Sequence, residues 1–134
     1  MNEKILVSSQ SYDIKKGVGI ILLILAVVAV FLIVWIGALV KCEVLTNRYY
    51  SDFKDAYEDN TWITEIEYFK VLKCDGETAE VYYVSSGKSE GWVHSYEKQN
   101  GAWKQTGVYT VWSVSGSASG VIWPYWWQFV YTGF

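Results

Sequence analysis

Three hydropathy periods follow one another along this chain. Residues 17–40, "GVGIILLILAVVAVFLIVWIGALV", hold no charge and no side-chain amide over 24 positions. As a helix this stretch is ~36 Å long, enough to cross a ~30 Å hydrocarbon layer with some tilt. Lys15 and Lys16 close it on one side and Lys41 on the other, so the pattern predicts one transmembrane helix. After Lys41 the apolar residues Leu45, Tyr49, Phe53 and Tyr57 recur every four positions, with Asp52, Asp55 and Asp59 off the stripe. That spacing predicts an amphipathic helix over 41–61.

From Trp62 the period drops to two. In "WITEIEYFKVLKC" the alternation sets Trp62, Ile66, Tyr68 and Leu72 on one side and Glu65, Glu67 and Lys73 on the other. Phe69 and Val71 interrupt it, which predicts that part of this strand is covered on both faces. Asp75–Gly76 is a hairpin signal whose usual turn needs positive φ at both central residues. "TAEVYYV", 78–84, is the return strand, with Ala79, Val81 and Tyr83 on one face. A loop over 85–91 leads to "WVHSYEK", 92–98, and Asn100–Gly101 turns the chain into a fourth run, 102–113. The predicted fold class is α+β: a transmembrane helix, then one amphipathic helix packed on the apolar face of an antiparallel β-meander of 4–5 strands. The segments are a short tail (1–16), the span (17–40), the juxtamembrane helix (41–61), the meander (62–113), and a small-residue linker with an aromatic segment (114–134).

A cleaved signal peptide or a lipid anchor fits the apolar segment less well than a retained span. A signal peptide has a shorter apolar region and small residues at its cleavage site, where this chain has Lys41. The same lysine, just before Cys42, argues against lipidation. Orientation rests on a narrower margin. Lys4, Lys15 and Lys16 on one side are matched by Lys41, Arg48 and Lys54 within twenty residues on the other. Lys15 and Lys16 abut the span, however, and residues 42–134 carry 7 Lys+Arg against 12 Asp+Glu, a net of −5. The expectation is a cytoplasmic N-terminus and an extracytoplasmic domain in the plasma membrane.

Composition adds aromatic density. The chain has 8 Trp and 11 Tyr, and all but three of its aromatic residues lie beyond residue 41. Trp62, Tyr68, Trp92, Tyr96, Trp103, Tyr109 and Trp112 fall in strand-like runs and are assigned mostly to core and cross-strand packing. Residues 121–131, "VIWPYWWQFVY", hold six aromatics and no charge. Three placements stand open for them: an edge strand, the bilayer surface, or a sugar-stacking platform built on Trp123, Tyr125, Trp126 and Trp127.

Catalytic chemistry is sparse. His94 is the single histidine, and a strand histidine is more often structural than a base. Glu65 and Glu67 share a strand face ~7 Å apart, a spacing within reach of a glycosidase pair but common on the wet side of a sheet. There is no Gly-x-Ser-x-Gly elbow, no phosphate-binding glycine loop, no zinc-ligand set and no basic patch. The reading is therefore non-catalytic, with no catalytic residue, metal or cofactor and no nucleic-acid partner. Cys42 and Cys74 can pair only in an oxidising compartment, and two buried free thiols are the other option. The expected role is an interaction module for another membrane or envelope protein, or for self-association. The alternative is a ligand-binding module for cell-wall glycan or a small apolar molecule, and a small hydrolase comes last.

"KVLKCDGETAEVYYVS", "NGAWKQ" and "VWSVSGSASGVIWPY" together resemble a class of small single-pass membrane proteins of Gram-positive bacteria, over somewhat under half the chain. That resemblance implies a bacterial plasma membrane and no structural disulfide between Cys42 and Cys74, and it brings no activity. The helix-then-meander order also looks like a reduced cone-shaped fold of the nuclear transport factor type. There a curved sheet wraps its helices around a pocket, whereas this chain offers one helix.

Overall fold

The structure is a computed structural model describing residues 2–54, 56, 65–88, 90–114 and 120–127. Tyr57, Asp59 and Trp62, and residues 128–134, lie outside the described residues. The fold is α+β. A helix α1, Asn2–Arg48, is followed by a short helix α2, Tyr50–Phe53. Four strands follow: β1 (Ile66–Cys74), β2 (Thr78–Ser85), β3 (Glu90–Gln99) and β4 (Ala102–Ser113). The strands pair in chain order as an antiparallel meander. Two compact units divide at residue 37. The described residues of the first are all helical, and Ile14–Arg48 contains a stretch long and apolar enough to cross a membrane.

The expected span and juxtamembrane helix are one continuous helix. Nothing in 38–48 breaks an α-helix, because the stretch has no proline or glycine and its polar residues are compatible with helix. The ladder loosens only at Tyr49, where φ is −107° and ψ 19°, although its N–H still bonds Leu45 O at 3.0 Å.

In the second unit the sheet is covered on both faces. One face carries Tyr82, Val84, Val93, Val111 and Trp112, with Tyr68 and Leu72 beside them, and is covered by Leu39, Cys42, Ile122, Tyr125 and Trp127. The other carries Phe69, Val71, Ala79, Val81, Tyr83 and Tyr96, and is covered by Leu45, Tyr49 and Phe53. The helix was expected on one face. Instead residues 38–53 run along the free edge of β1 and send side chains over both sides. The junction is polar: Thr46 Oγ1 donates to Cys42 O (2.7 Å) and accepts the Val71 N–H (2.9 Å), while Lys70 pairs with Glu43. A helix is one of the standard covers for an exposed strand edge.

Register shifts explain where the alternation misleads. Ile66 pairs with Ser85 but Tyr68 with Val84, so Glu67 is an extra residue and Ile66 lies on the opposite face from Tyr68. A second shift, between Val71 and Lys73, turns Leu72 and Lys73 to the same side rather than to opposite ones. A third, opposite Gly91 and Trp92, lets neighbouring Val111 and Trp112 enter one cluster.

The turns divide in a similar way. Asn100 (φ 53°) and Gly101 (φ 83°) both have positive φ, as the type I′ hairpin requires. At the first turn only Gly76 (φ 98°) does. Asp75 acts through its carboxylate, which accepts the Glu77 and Thr78 N–H groups at 2.8 and 2.7 Å. Those bonds, Thr78's first, hold the Asp75 carboxyl below the ordinary aspartate range. Strand β3 begins at Glu90, so Gly91 belongs to the sheet and not to the preceding loop.

Candidate functional site

The aromatic segment supplies four candidate residues, and the fold uses them unequally. Gly120 N–H bonds Val111 O (3.3 Å) and returns the chain to the end of β4. Residues 121–127 then cross the first face without adding a strand. Tyr125 is buried, stacks 6.2 Å from Tyr82 and directs its hydroxyl at Glu43 Oε1, 3.5 Å away. Burial first, then the neighbouring Cys42 and Glu43, raise the Tyr125 pKa. Trp127 is half-buried, edge-on to Tyr125 at 5.3 Å and at 84° to Trp126. Trp123 and Trp126 remain 47% and 39% exposed. The four rings therefore do not present one coplanar platform. Tyr125 is core, Trp127 is its edge, and the Trp123 and Trp126 indoles each keep an exposed part.

The exposed indole of Trp123 borders a groove assembled from distant parts of the chain. A cavity of about 380 Å³ is lined by Ala38, Lys41 and Cys42 from α1, Leu72 and Lys73 from β1, Glu80 from β2, Tyr109 from β4, and residues 121–124. Lys73 Nζ lies 3.0 Å from Glu80 Oε2, and Lys41 is exposed. Tyr109, one of the aromatics assigned mostly to core and cross-strand packing, is 48% exposed here, and Val121 is 56% exposed. Val93 is the strand partner of Tyr109 on this face, but the sheet ends at β4 and nothing described covers the Tyr109 ring further out. No single motif marks this site. Lys41 reads as the end of the apolar run, and the bulge that aligns Leu72 with Lys73 has no signature in the alternation.

The catalytic candidates are placed separately. His94 is 1% exposed on the second face, under Tyr83 at a ring distance of 4.9 Å. Its Nδ1 lies 3.4 Å from Tyr96 Oη. Tyr96 Oη is 3.2 Å from Tyr83 Oη, which donates to Phe53 O at 2.8 Å. The order consistent with that last donor runs from His94 Nδ1–H to Tyr96 to Tyr83 to the carbonyl, which fixes α2 to the sheet. Burial lowers the His94 pKa to about 4 against a smaller opposing pull from Gln105, and raises that of Tyr96 to about 12. His94 is thus neutral and sealed from solvent at neutral pH, a poor position for a base. Glu65 and Glu67 are exposed beside the start of β1, away from His94.

Among the described residues no group of three His, Cys, Asp or Glu could hold a metal ion. Cys42 and Cys74 are free thiols and belong to clusters on opposite faces of the sheet. No family model, curated protein or solved structure matches the chain.

Proposed function

We propose that this is a single-pass protein of a bacterial plasma membrane that presents its β-meander unit outside the cytoplasm as a non-catalytic interaction module. Its partner is another membrane or envelope protein, or a second copy of the chain. The observation that supports this most is the continuity of α1. The residues that cover the sheet edge, 38–48, continue the apolar segment with no linker between them. A module joined in this way works at the bilayer, where its partners are other membrane-held molecules. The burial of His94 favours docking over catalysis. Exposure of Trp123 and Trp126 favours a second reading, in which the module binds wall glycan or a small apolar molecule.

The test is extraction of the full chain from its native membrane in mild detergent, together with protease accessibility on intact cells. The expected outcome is a defined oligomer or a stoichiometric membrane-protein complex, with the β-meander cleavable from outside. A monomer with no partner refutes the interaction role, and a module protected inside intact cells refutes the placement. Selective retention on purified cell wall, lost in Trp126→Ala, transfers the assignment to glycan binding.

A further inference from the structure

We infer that the groove at the end of the apolar helix is a binding site for the headgroup of an anionic phospholipid, with Lys41 and Lys73 facing its phosphate and Val121 and Trp123 meeting the start of its acyl chains. This inference rests on the reading of α1 as a membrane span.

Depth is the first argument. Ala38 is within the apolar segment and Lys41 is the first charge beyond it, and both line the same groove. In a membrane, that turn is where hydrocarbon gives way to headgroups. The groove opens where lipid phosphates lie. Composition is the second. Indole, phenol and lysine side chains with an apolar body and a polar tip are favoured at this level, and Trp123, Tyr109, Lys41 and Lys73 meet here. In water, Trp123 and Val121, each about half exposed, are unfavourable apolar surface. Against acyl chains they are not.

Charge is the third. Residues 42–134 carry a net of −5, yet the groove holds two lysines to one glutamate. Glu80 is already engaged with Lys73 at 3.0 Å, and Lys41 has no carboxylate partner among the described residues. The bulge in β1 is what makes this possible, since regular alternation would point Lys73 away from Leu72. A groove of about 380 Å³ accommodates a headgroup, falling at the small end of ligand sites.

The test uses the full chain in mixed micelles of phosphatidylglycerol and phosphatidylcholine, with retained lipid counted by native mass spectrometry. Phosphatidylglycerol should be retained in preference, and Lys41→Gln and Lys73→Gln should each reduce its retention about fivefold, the effect of one lysine near an anionic surface. Lys104→Gln, which removes the same charge from β4 outside the groove, should leave retention unchanged. Equal retention of the two lipids, or an equal effect of all three substitutions, overturns the proposal. Displacement of the lipid by inorganic phosphate at comparable concentration overturns it in favour of a free-phosphate site. Flotation with neutral vesicles separates the two layers of the argument. A chain that floats but shows no lipid preference refutes the groove alone, whereas a chain that stays in solution refutes the span and the groove together.

Discussion

Replacing Thr46 with valine tests whether α1 is fastened to the sheet edge or merely lies beside it. Thr46 is 7% exposed, and its hydroxyl makes two bonds: it donates to Cys42 O and accepts the N–H of Val71. Valine keeps the shape and the β-branch, and its helix propensity is close to that of threonine, so neither packing nor local helicity changes much. What changes is the Val71 N–H. Val71 is at the free edge of β1 and is fully buried, so without the hydroxyl its amide has neither protein nor water to bond. Leaving one buried donor unsatisfied costs about 1–3 kcal/mol. Thr46→Ser retains both bonds and loses one methyl, at a cost of about 0.8 kcal/mol. The assay is urea unfolding of the full chain in mild detergent, followed by tryptophan emission. With a slope of about 1–3 kcal/mol/M, Thr46→Val should lower the midpoint by roughly 1 M, and Thr46→Ser by less than half of that. Amide exchange gives an independent reading, since Val71 should be protected in the parent and in Thr46→Ser but not in Thr46→Val. Equal stability of all three, with Val71 still protected, would refute the edge-capping argument.

Two further perturbations test the two faces. On the first face, a Cβ on Gly91 would lie 2.7 Å from Trp112 Cε2 and 2.9 Å from Tyr82 Oη, and closer still to Trp112 Nε1, which donates to that hydroxyl at 2.5 Å. Gly91→Ala should therefore cost about 1–3 kcal/mol and weaken the near-ultraviolet circular dichroism, whereas Gly107→Ala, whose nearest contacts are 3.8 Å or more, should stay within about 1 kcal/mol. On the second face, the His94 pKa is lowered from 6.5 to about 4. The unfolded chain then binds more protons than the folded one between those values, so stability is complete above pH 6.5 and falls by about 3 kcal/mol as the pH drops to 4. Asp75, with a carboxyl held below its ordinary range, loses its contribution only at still lower pH and leaves that window clear. Urea midpoints measured across pH 4–7 should show this slope in the parent and its absence in His94→Phe. A slope that survives the substitution would assign the acid sensitivity to another group.

Much of the architecture is legible in the pattern of side chains. The change from a period near four to a period of two gives helix before sheet, the order that the described residues have, and Asn100–Gly101 fixes the last hairpin so well that 102–113 is the fourth strand as expected. Coverage of β1 on both faces is visible in Phe69 and Val71 interrupting the alternation. The rest depends on contacts that leave no periodic trace. That α1 sits along an edge is decided by single polar residues, Thr46, Glu43 and Lys70, which look on their own like ordinary solvated positions. Three register shifts set Ile66 on the opposite face from Tyr68, Lys73 beside Leu72 and Trp112 beside Val111, placements that strict alternation denies, because a bulge is a property of two strands and the sequence shows each strand alone. The candidate site divides along the same line. The aromatic segment is conspicuous, but which of its rings is core and which is surface follows from Tyr82, which takes Tyr125 as its stacking partner. The groove is assembled from five separate stretches and could not be read from any of them.

These contacts also limit where the module can act. Its two faces are closed over by the helix and the 120–127 segment, and the edge of β1 is capped through Thr46. The chemistry-bearing side chains of the interior are spent on holding that arrangement: Tyr83 and Tyr96 link His94 to α2, and the Tyr82 hydroxyl takes the Trp112 N–H. Ordinary solvated residues aside, the apolar surface left on the second unit includes Val108 and Tyr109 of β4 with Val121, Trp123 and Trp126. Tyr109, Val121 and Trp123 adjoin the end of the apolar helix through one groove. If the apolar helix spans a membrane as proposed, the bilayer is the nearest apolar phase for this exposed aromatic rim, and it accounts for the aromatic density at 121–127 better than catalysis does. Under the proposed interaction role, the apolar surface outside the groove on which a partner would dock includes Val108 of β4 and Trp126.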